Sequence, residues 1–176
     1  MIEIISSIIS ALYFIFPAYC ANAAPLILGG GIPLDWGRNF VDGKPILGSH
    51  KTVRGFLAGL AAGFSVGLIQ FIMFQSNEFL QKTLLFQPSV QLGLMLSLGA
   101  MIGDSLESFF KRRLGLQPGA SLLIADQLDF VVGALLLSLP VSPPSLLMVM
   151  IIILITPPIH ILSNFLGDLL RRKRLS

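Results

Sequence analysis

Residues 89–129 read SVQLGLMLSLGAMIGDSLESFFKRRLGLQPGASLLIADQLD. The stretch starts as an apolar run and takes up carboxylates at Asp104 and Glu107. It then meets the cations Lys111, Arg112 and Arg113 and returns through Asp126 and Asp129 to apolar sequence. A helix needs about 20 mostly apolar residues to cross a bilayer. Two such runs joined by a short basic turn read as a membrane hairpin with its acids just inside one surface. Extending the pattern both ways gives five spans, over roughly 3–28, 53–75, 89–110, 121–140 and 145–170.

Composition agrees with that reading. Of 176 residues, 54% are apolar and 12% charged, and the mean hydropathy is +0.83. Soluble domains carry about 25% charged residues, so a water-soluble enzyme is excluded. Low charge and the lack of a sustained short repeat exclude disorder, collagen and coiled coil. The single cysteine, Cys20, permits neither an internal disulfide nor a thiolate zinc site. The spans use most of the chain, so the expectation is one all-α, multi-pass membrane domain over 1–176 with no soluble module. Ala21-Asn22-Ala23 has the small-x-small form of a signal-peptide cleavage site. However, no basic residue precedes the apolar run, Glu3 sits where lysines belong, and apolar sequence continues to Leu28, so the segment reads as a retained first span.

The cations set the topology. Arg38, Lys44, Lys51 and Arg54 lie in or beside the first connection, Lys111, Arg112 and Arg113 open the third, and Arg171, Arg172, Lys173 and Arg174 form the tail. Only Lys82 lies elsewhere, in the second connection. The positive-inside rule therefore places the N-terminus outside and the C-terminus in the cytoplasm of a cell-membrane protein. The cytoplasmic loops cover about 29–52 and 111–120. The connection 76–88 reads as a plain solvated turn.

Small residues mark the seams. Gly55, Gly59, Gly63 and Gly67 recur every four residues and share one helix face, where they let backbones approach closely. Gly93, Ser97, Gly99 and Gly103 do the same on the third span. Thr156-Pro157-Pro158 predicts a break or kink in the fifth, because proline removes a hydrogen bond and clashes with the preceding turn.

Asp104 pairs with Glu107, and Asp126 with Asp129, at a spacing of three that puts each pair on one helix face. Counting inward at the helical rise, Asp104 lies about 9 Å and Asp129 about 12 Å below the cytoplasmic surface. A carboxylate at mid-membrane costs roughly 2.5–3.5 kcal/mol even on a mild scale. Four of them must line a wet cavity, pair with Lys111, Arg112 and Arg113, or bind metal. Oxygen donors without histidine or cysteine suit a hard cation such as Mg²⁺. His160, Asn164 and Asp168 form a polar stripe on the cytoplasmic half of the fifth span, and Asn22 sits near the end of the first. Each could equally be interhelical hydrogen-bond glue.

The first loop alternates glycines with cations, from Gly29-Gly30-Gly31 to Asp42-Gly43-Lys44 and Gly48-Ser49-His50-Lys51-Thr52-Val53-Arg54-Gly55. Accessible backbone N–H groups among cations suit a polyphosphate. No Walker pattern occurs. A hard-metal site, a cationic loop and a lipid-side opening together suit phosphoryl or nucleotidyl transfer to a membrane-embedded acceptor.

Ser108-Phe109-Phe110-Lys111-Arg112 followed by Asp126-Gln127-Leu128-Asp129 resembles the signature of the CTP-dependent phosphatidate cytidylyltransferase superfamily, with Gln127 in place of an arginine. The Lys-Asp and His-Gly-Gly elements between them are missing. The motifs Asp42-Gly43-Lys44…Gly48…Lys51-Thr52…Arg54-Gly55 and Gly103-Asp104…Ser108-Phe109…Lys111-Arg112 resemble the short archaeal branch, the CDP-archaeol synthase family. The resemblance implies Mg²⁺-dependent transfer of CMP from CTP to an unsaturated archaeal ether-lipid phosphate, the digeranylgeranyl glycerol phosphate. It implies Asp104, Asp126 and Asp129 as metal ligands and catalytic groups, with Lys111 and Arg112 on the phosphates. Substrate contact falls to Asp42, Lys44, Gly48, Lys51, Thr52, Arg54, Glu107 and Ser108, and to Asn22, His160 and Asn164. The partners expected are CTP, a lipid phosphate and the bilayer, without nucleic acid, and a homodimer is left open.

Two other readings compete. A CDP-alcohol phosphotransferase is also small, helical and metal-dependent, but its Asp-Gly-x-x-Ala-Arg start is absent. An ion or proton transporter would show repeats and midplane sites. Five spans do not divide evenly, and these carboxylates lie to one side.

Overall fold

The computed structural model describes residues 2–117 and 125–159. They form α1 (Ile2–Leu28), α2 (Val53–Ser76), α3 (Glu78–Thr83), α4 (Val90–Arg113), α5 (Ala125–Ser138) and α6 (Leu146–Ile159), with no strand among the described residues. The expected spans and the observed helices begin within a few residues of each other wherever the start is described. Side-chain caps fix the starts: Thr52 Oγ1 accepts the Gly55 N–H at 3.1 Å and Ser89 Oγ accepts the Leu92 N–H at 3.1 Å. Among the described residues α1 and α2 are the two helices both long and apolar enough to cross a membrane on their own merits. α4 has the length, at 24 residues, but charged residues crowd its last three turns.

Two expectations need correction. The connection 76–88 is more than a turn: Asn77 caps the short helix α3 by accepting the Phe79 and Leu80 N–H groups. The prolines of α6 do not break it within the described residues, since the helix runs through Thr156-Pro157-Pro158 to Ile159. Thr156 Oγ1 meets Tyr19 OH at 2.9 Å and ties α6 to α1 at that level. The rest of the fifth span, with His160, Asn164 and Asp168, lies outside the described residues.

In α1 a neighbouring helix accommodates a proline directly. Pro17 has no N–H to offer the Tyr13 carbonyl. Gln70 of α2, itself buried, donates its Nε2 to that carbonyl at 2.8 Å, and Tyr13 OH returns a bond to the Gln70 carbonyl at 3.2 Å. A side-chain amide from a neighbouring helix thus satisfies a backbone group that proline leaves open in an apolar setting.

The glycine seam is as expected and closes on two helices at once. A Cβ on Gly63 would meet the Pro17 carbonyl of α1 at 2.6 Å as well as Ser97 Oγ of α4, and one on Gly67 would lie 2.5 Å from the Gly93 Cα. Gly59 sits against Ala21 and Met101 in the same way. The other small face of α4 meets α5, where Gly99 packs on Gly133 and Gly103 on the Asp129 backbone. α4 therefore touches α1, α2 and α5. Phe14, Ile15, Leu96, Phe130, Val131, Met148 and Ile152 fill the core between them.

Candidate functional site

At the end of the bundle where α1 stops and α2 starts, a cavity of about 570 Å³ opens between the helix ends and the first connection. Asn22 and Pro25 of α1, Asp104, Glu107, Ser108, Lys111 and Arg112 of α4, and Asp126 and Asp129 of α5 line it. The loop supplies Gly29, Gly30, His50, Lys51 and Thr52. The packing of Gly103 against the Asp129 backbone brings α4 and α5 to contact distance beside it, so the two acidic faces meet.

The loop wall is held by Asp35. Its buried carboxylate accepts the Gly37 N–H at 2.9 Å, the Leu47 N–H at 2.8 Å and the Gly48 N–H at 2.9 Å. Burial alone would raise this carboxyl, but the backbone donors outweigh it and hold Asp35 below the usual aspartate value. Gly48 adopts φ 94°, a conformation open to glycine, and so turns its N–H onto Asp35. Leu34 N–H to Lys51 O at 2.7 Å and Val53 N–H to Ile32 O at 3.0 Å close the loop base and aim Lys51 inward.

Opposite charges meet inside. Lys51 Nζ lies 2.6 Å from Asp104 Oδ2. Lys111 Nζ bridges Glu107 Oε1 at 2.6 Å and Asp126 Oδ2 at 2.7 Å, with all three side chains largely withdrawn from solvent. Asp129 accepts the Phe130 N–H at 2.5 Å and has no cation within ion-pair distance among the described residues. Arg112 is buried, and only its Nη2 is bonded, to the Gln117 carbonyl at 3.1 Å; Nε and Nη1 have no partner among the described residues. A buried guanidinium with open donors is costly unless an anion completes it. It is suited to bidentate phosphate binding.

The expected triad of Asp104, Asp126 and Asp129 does not form one metal cage. Among the described residues no group of three His, Cys, Asp or Glu side chains is placed to hold a metal ion. The reason is electrostatic: Lys51 engages Asp104 and Lys111 engages Asp126, which disperses like charges that would otherwise repel. Mg²⁺ nevertheless needs only one or two carboxylates, with waters and substrate phosphates completing its shell. Asp104 and Asp129, hard oxygen donors on facing helices, fit that requirement.

Several other candidates stand apart. Asp42 meets Arg113 Nη1 at 3.1 Å, Lys44 Nζ donates to the Arg113 carbonyl at 2.9 Å, and neither lines the cavity. Arg54 is exposed and outside it. Gly48 acts through Asp35. Sequence reasoning overlooked Asp35 and Arg113, which shape the loop, and gave no role to His50, which lines the cavity. Arg113 reaches back to the Lys44 carbonyl at 3.2 Å and to the Pro45 carbonyl, with its guanidinium 4.9 and 4.8 Å from the ring centroids of Phe40 and Phe109. The signal that existed was the aromatic pair flanking a basic triplet.

A model of the CarS-like family, described as CDP-archaeol synthase, matches residues 1–175. The chain is 43% identical over 162 residues to the CDP-archaeol synthase of Methanocaldococcus jannaschii, covering 90% of each. It is 40% identical over 164 residues to that of Pyrococcus furiosus, covering 91% of this chain and 92% of the relative. A solved structure of an intramembrane enzyme for archaeal membrane lipids biosynthesis superimposes with a TM-score of 0.77 at 33% identity, covering 90% of this chain and 94% of that one.

Proposed function

The chain belongs to the CarS-like, CDP-archaeol synthase family, and we propose that its loop-covered cavity is where CTP meets a lipid phosphate. It is a membrane-embedded, CTP-dependent cytidylyltransferase of archaeal lipid synthesis. The acceptor is an unsaturated ether-lipid phosphate. The chain crosses the membrane five times, N-terminus outside, with the cavity facing the cytoplasm; the grouping of eleven of twelve cations on that side supports this.

The observation that carries the reading is Arg112, whose Nε and Nη1 face no partner among the described residues, while Lys51 from the loop and Lys111 from α4 line the same cavity. Together they neutralise a triphosphate. Asp104 and Asp129 would hold Mg²⁺, which when bound supplies charge to the phosphates and a template for in-line geometry. Asp126 and Glu107 hold the Lys111 ammonium in place. The lipid phosphate is already largely ionised at neutral pH, its second pKa being about 6, so no protein nucleophile is required. Its oxygen forms the new bond to the α-phosphorus of CTP, the bond from that phosphorus to the bridging oxygen breaks, and pyrophosphate leaves. Catalysis is positioning plus charge neutralisation. Asn22, which lines the cavity, contacts the headgroup. His160 and Asn164, whose places fall outside the described residues, tune it from the fifth span.

The test is a product assay with purified protein, CTP, Mg²⁺ and a panel of lipid phosphates. Label on the α-phosphate of CTP is expected in the lipid and label on the γ-phosphate in pyrophosphate. Lipid labelling from the γ position, or a need for a preformed CDP-lipid, would contradict the assignment.

A further inference from the structure

The first connection has an outer face as well as a cavity face. Trp36 is 70% exposed, Val41 93% and Ile32 57%, and Phe40 is exposed beside them. Phe110 and Leu114, at and just past the end of α4, are exposed too, and Phe110 meets Phe109, which packs on Phe40. Trp36 is the one non-glycine described residue at positive φ, at 56°. A bulky side chain there is strained, and such strain persists only where the surroundings enforce it. They do: the Asp35 carboxylate next to it holds Gly37, Leu47 and Gly48. The bridges Pro33–Thr52 and Asn39–Pro45 close the two ends of the loop. The chain thus builds a rigid device that pushes an indole outward.

The level of this face follows from Phe40. Its ring packs edge-on against Phe109 of α4 at 5.3 Å, at the turn where the apolar part of α4 gives way to Lys111, Arg112 and Arg113. The loop therefore lies where the helices leave the hydrocarbon, its apolar tip continuous with their lipid-facing sides. Arg38 on this connection and Arg54 in the first turn of α2 are exposed cations. Amphipathic rings beside cations match the interfacial zone, where tryptophan is enriched and anionic headgroups attract basic side chains.

We infer that the outer face of the first connection, led by Trp36 and Val41, sits in the headgroup region of an anionic bilayer while its inner face forms a wall of the cavity. The occupant is the lipid surface and not a second copy of the chain: the face is interrupted by exposed cations, and it joins surfaces already in lipid. Lipid packing and charge then bear directly on the segment that carries His50, Lys51 and Thr52. This inference rests on the membrane placement proposed above.

Trp36 is the sole tryptophan, so the intact protein reports on it without labels. The protein is reconstituted into vesicles of phosphatidylglycerol and phosphatidylcholine whose chains are brominated either just below the headgroup or near the chain end. Strong quenching by the shallow bromines, weak quenching by the deep ones and protection from aqueous acrylamide are expected. Protection should weaken in purely zwitterionic vesicles. Open access to acrylamide without bromine quenching would overturn the proposal, as would a buried emission insensitive to bromines, which means that protein covers the ring. CDP-lipid formation measured in the same vesicles separates the outcomes: activity without quenching removes this inference alone.

Discussion

The Lys51 ammonium, carried by the first connection, lies 2.6 Å from an Asp104 carboxylate oxygen on α4. The pair joins two segments 53 residues apart and ties the loop wall to the helix wall of the cavity. Both side chains keep partial exposure, so neither is locked away from an incoming nucleotide.

Lys51→Met removes a cation from the phosphate site and leaves Asp104 uncompensated. Turnover of CTP into CDP-lipid is expected to fall about 10²-fold or more, the scale of losing one preorganised donor. Lys51→Arg should recover part of it. Steady-state rates at saturating and limiting CTP check this, and near-normal turnover in Lys51→Met would remove Lys51 from the site.

Arg112→Met trades affinity for stability. Among the described residues the buried guanidinium has open donors, so an apolar replacement is expected to leave the melting temperature of the nucleotide-free protein unchanged or higher. CTP affinity should drop by roughly 10- to 100-fold, the worth of a hydrogen bond to a charged group at about 1.5–3 kcal/mol. Thermal melts with and without CTP read both effects. A lower melting temperature with an intact CTP-induced shift would make Arg112 structural.

The Asp35 carboxyl sets an acid limit on the loop. Its pKa in the folded protein lies below the ordinary aspartate value, so its ionised form stabilises the fold. That contribution is complete above the unfolded value and is lost as the pH falls through the depressed one. Loop protection from proteolysis should therefore persist through mildly acidic pH and fail only below the normal aspartate range. Asp35→Asn should expose the loop to protease at neutral pH by weakening three backbone bonds at once.

Gly67→Leu tests the seam. Even a Cβ at this position would lie 2.5 Å from the Gly93 Cα, so α2 and α4 would have to separate. Overpacking of this kind costs typically about 1–3 kcal/mol, and a leucine exceeds a single added methylene. Loss of the monodisperse folded protein in detergent is expected. The exposed Leu57→Ala on the same helix should have little effect.

Much of this architecture was legible in the residue order. Hydropathy fixed α1, α2 and α4 to within a few residues, and the four-residue glycine spacing named the seam, because both are local and periodic. The meeting of Asp104 with Asp129 followed from two acidic faces at similar depth. What stayed hidden depends on long-range pairing. Nothing local says that Asp35 will collect N–H groups from Leu47 and Gly48, or that Arg113 will fold back onto Pro45. Proline cost is likewise non-local: in α1 the carbonyl that Pro17 leaves open is served by Gln70 of another helix. The pairing of Asp104 with Lys51 and of Asp126 with Lys111 stayed hidden too, because charge spacing along a helix does not reveal which carboxylates a lysine will take.

Among the described residues Asp129 is the cavity-wall carboxylate without an ion pair, and the proposed chemistry requires it. The decisive experiment compares wild-type and Asp129→Asn proteins in vesicles containing the ether-lipid phosphate, with α-phosphate-labelled CTP and Mg²⁺. Labelled CDP-lipid from the wild type and none from an Asp129→Asn protein of unchanged helix content is the expected result. Near-normal labelled lipid from Asp129→Asn would place the chemistry elsewhere.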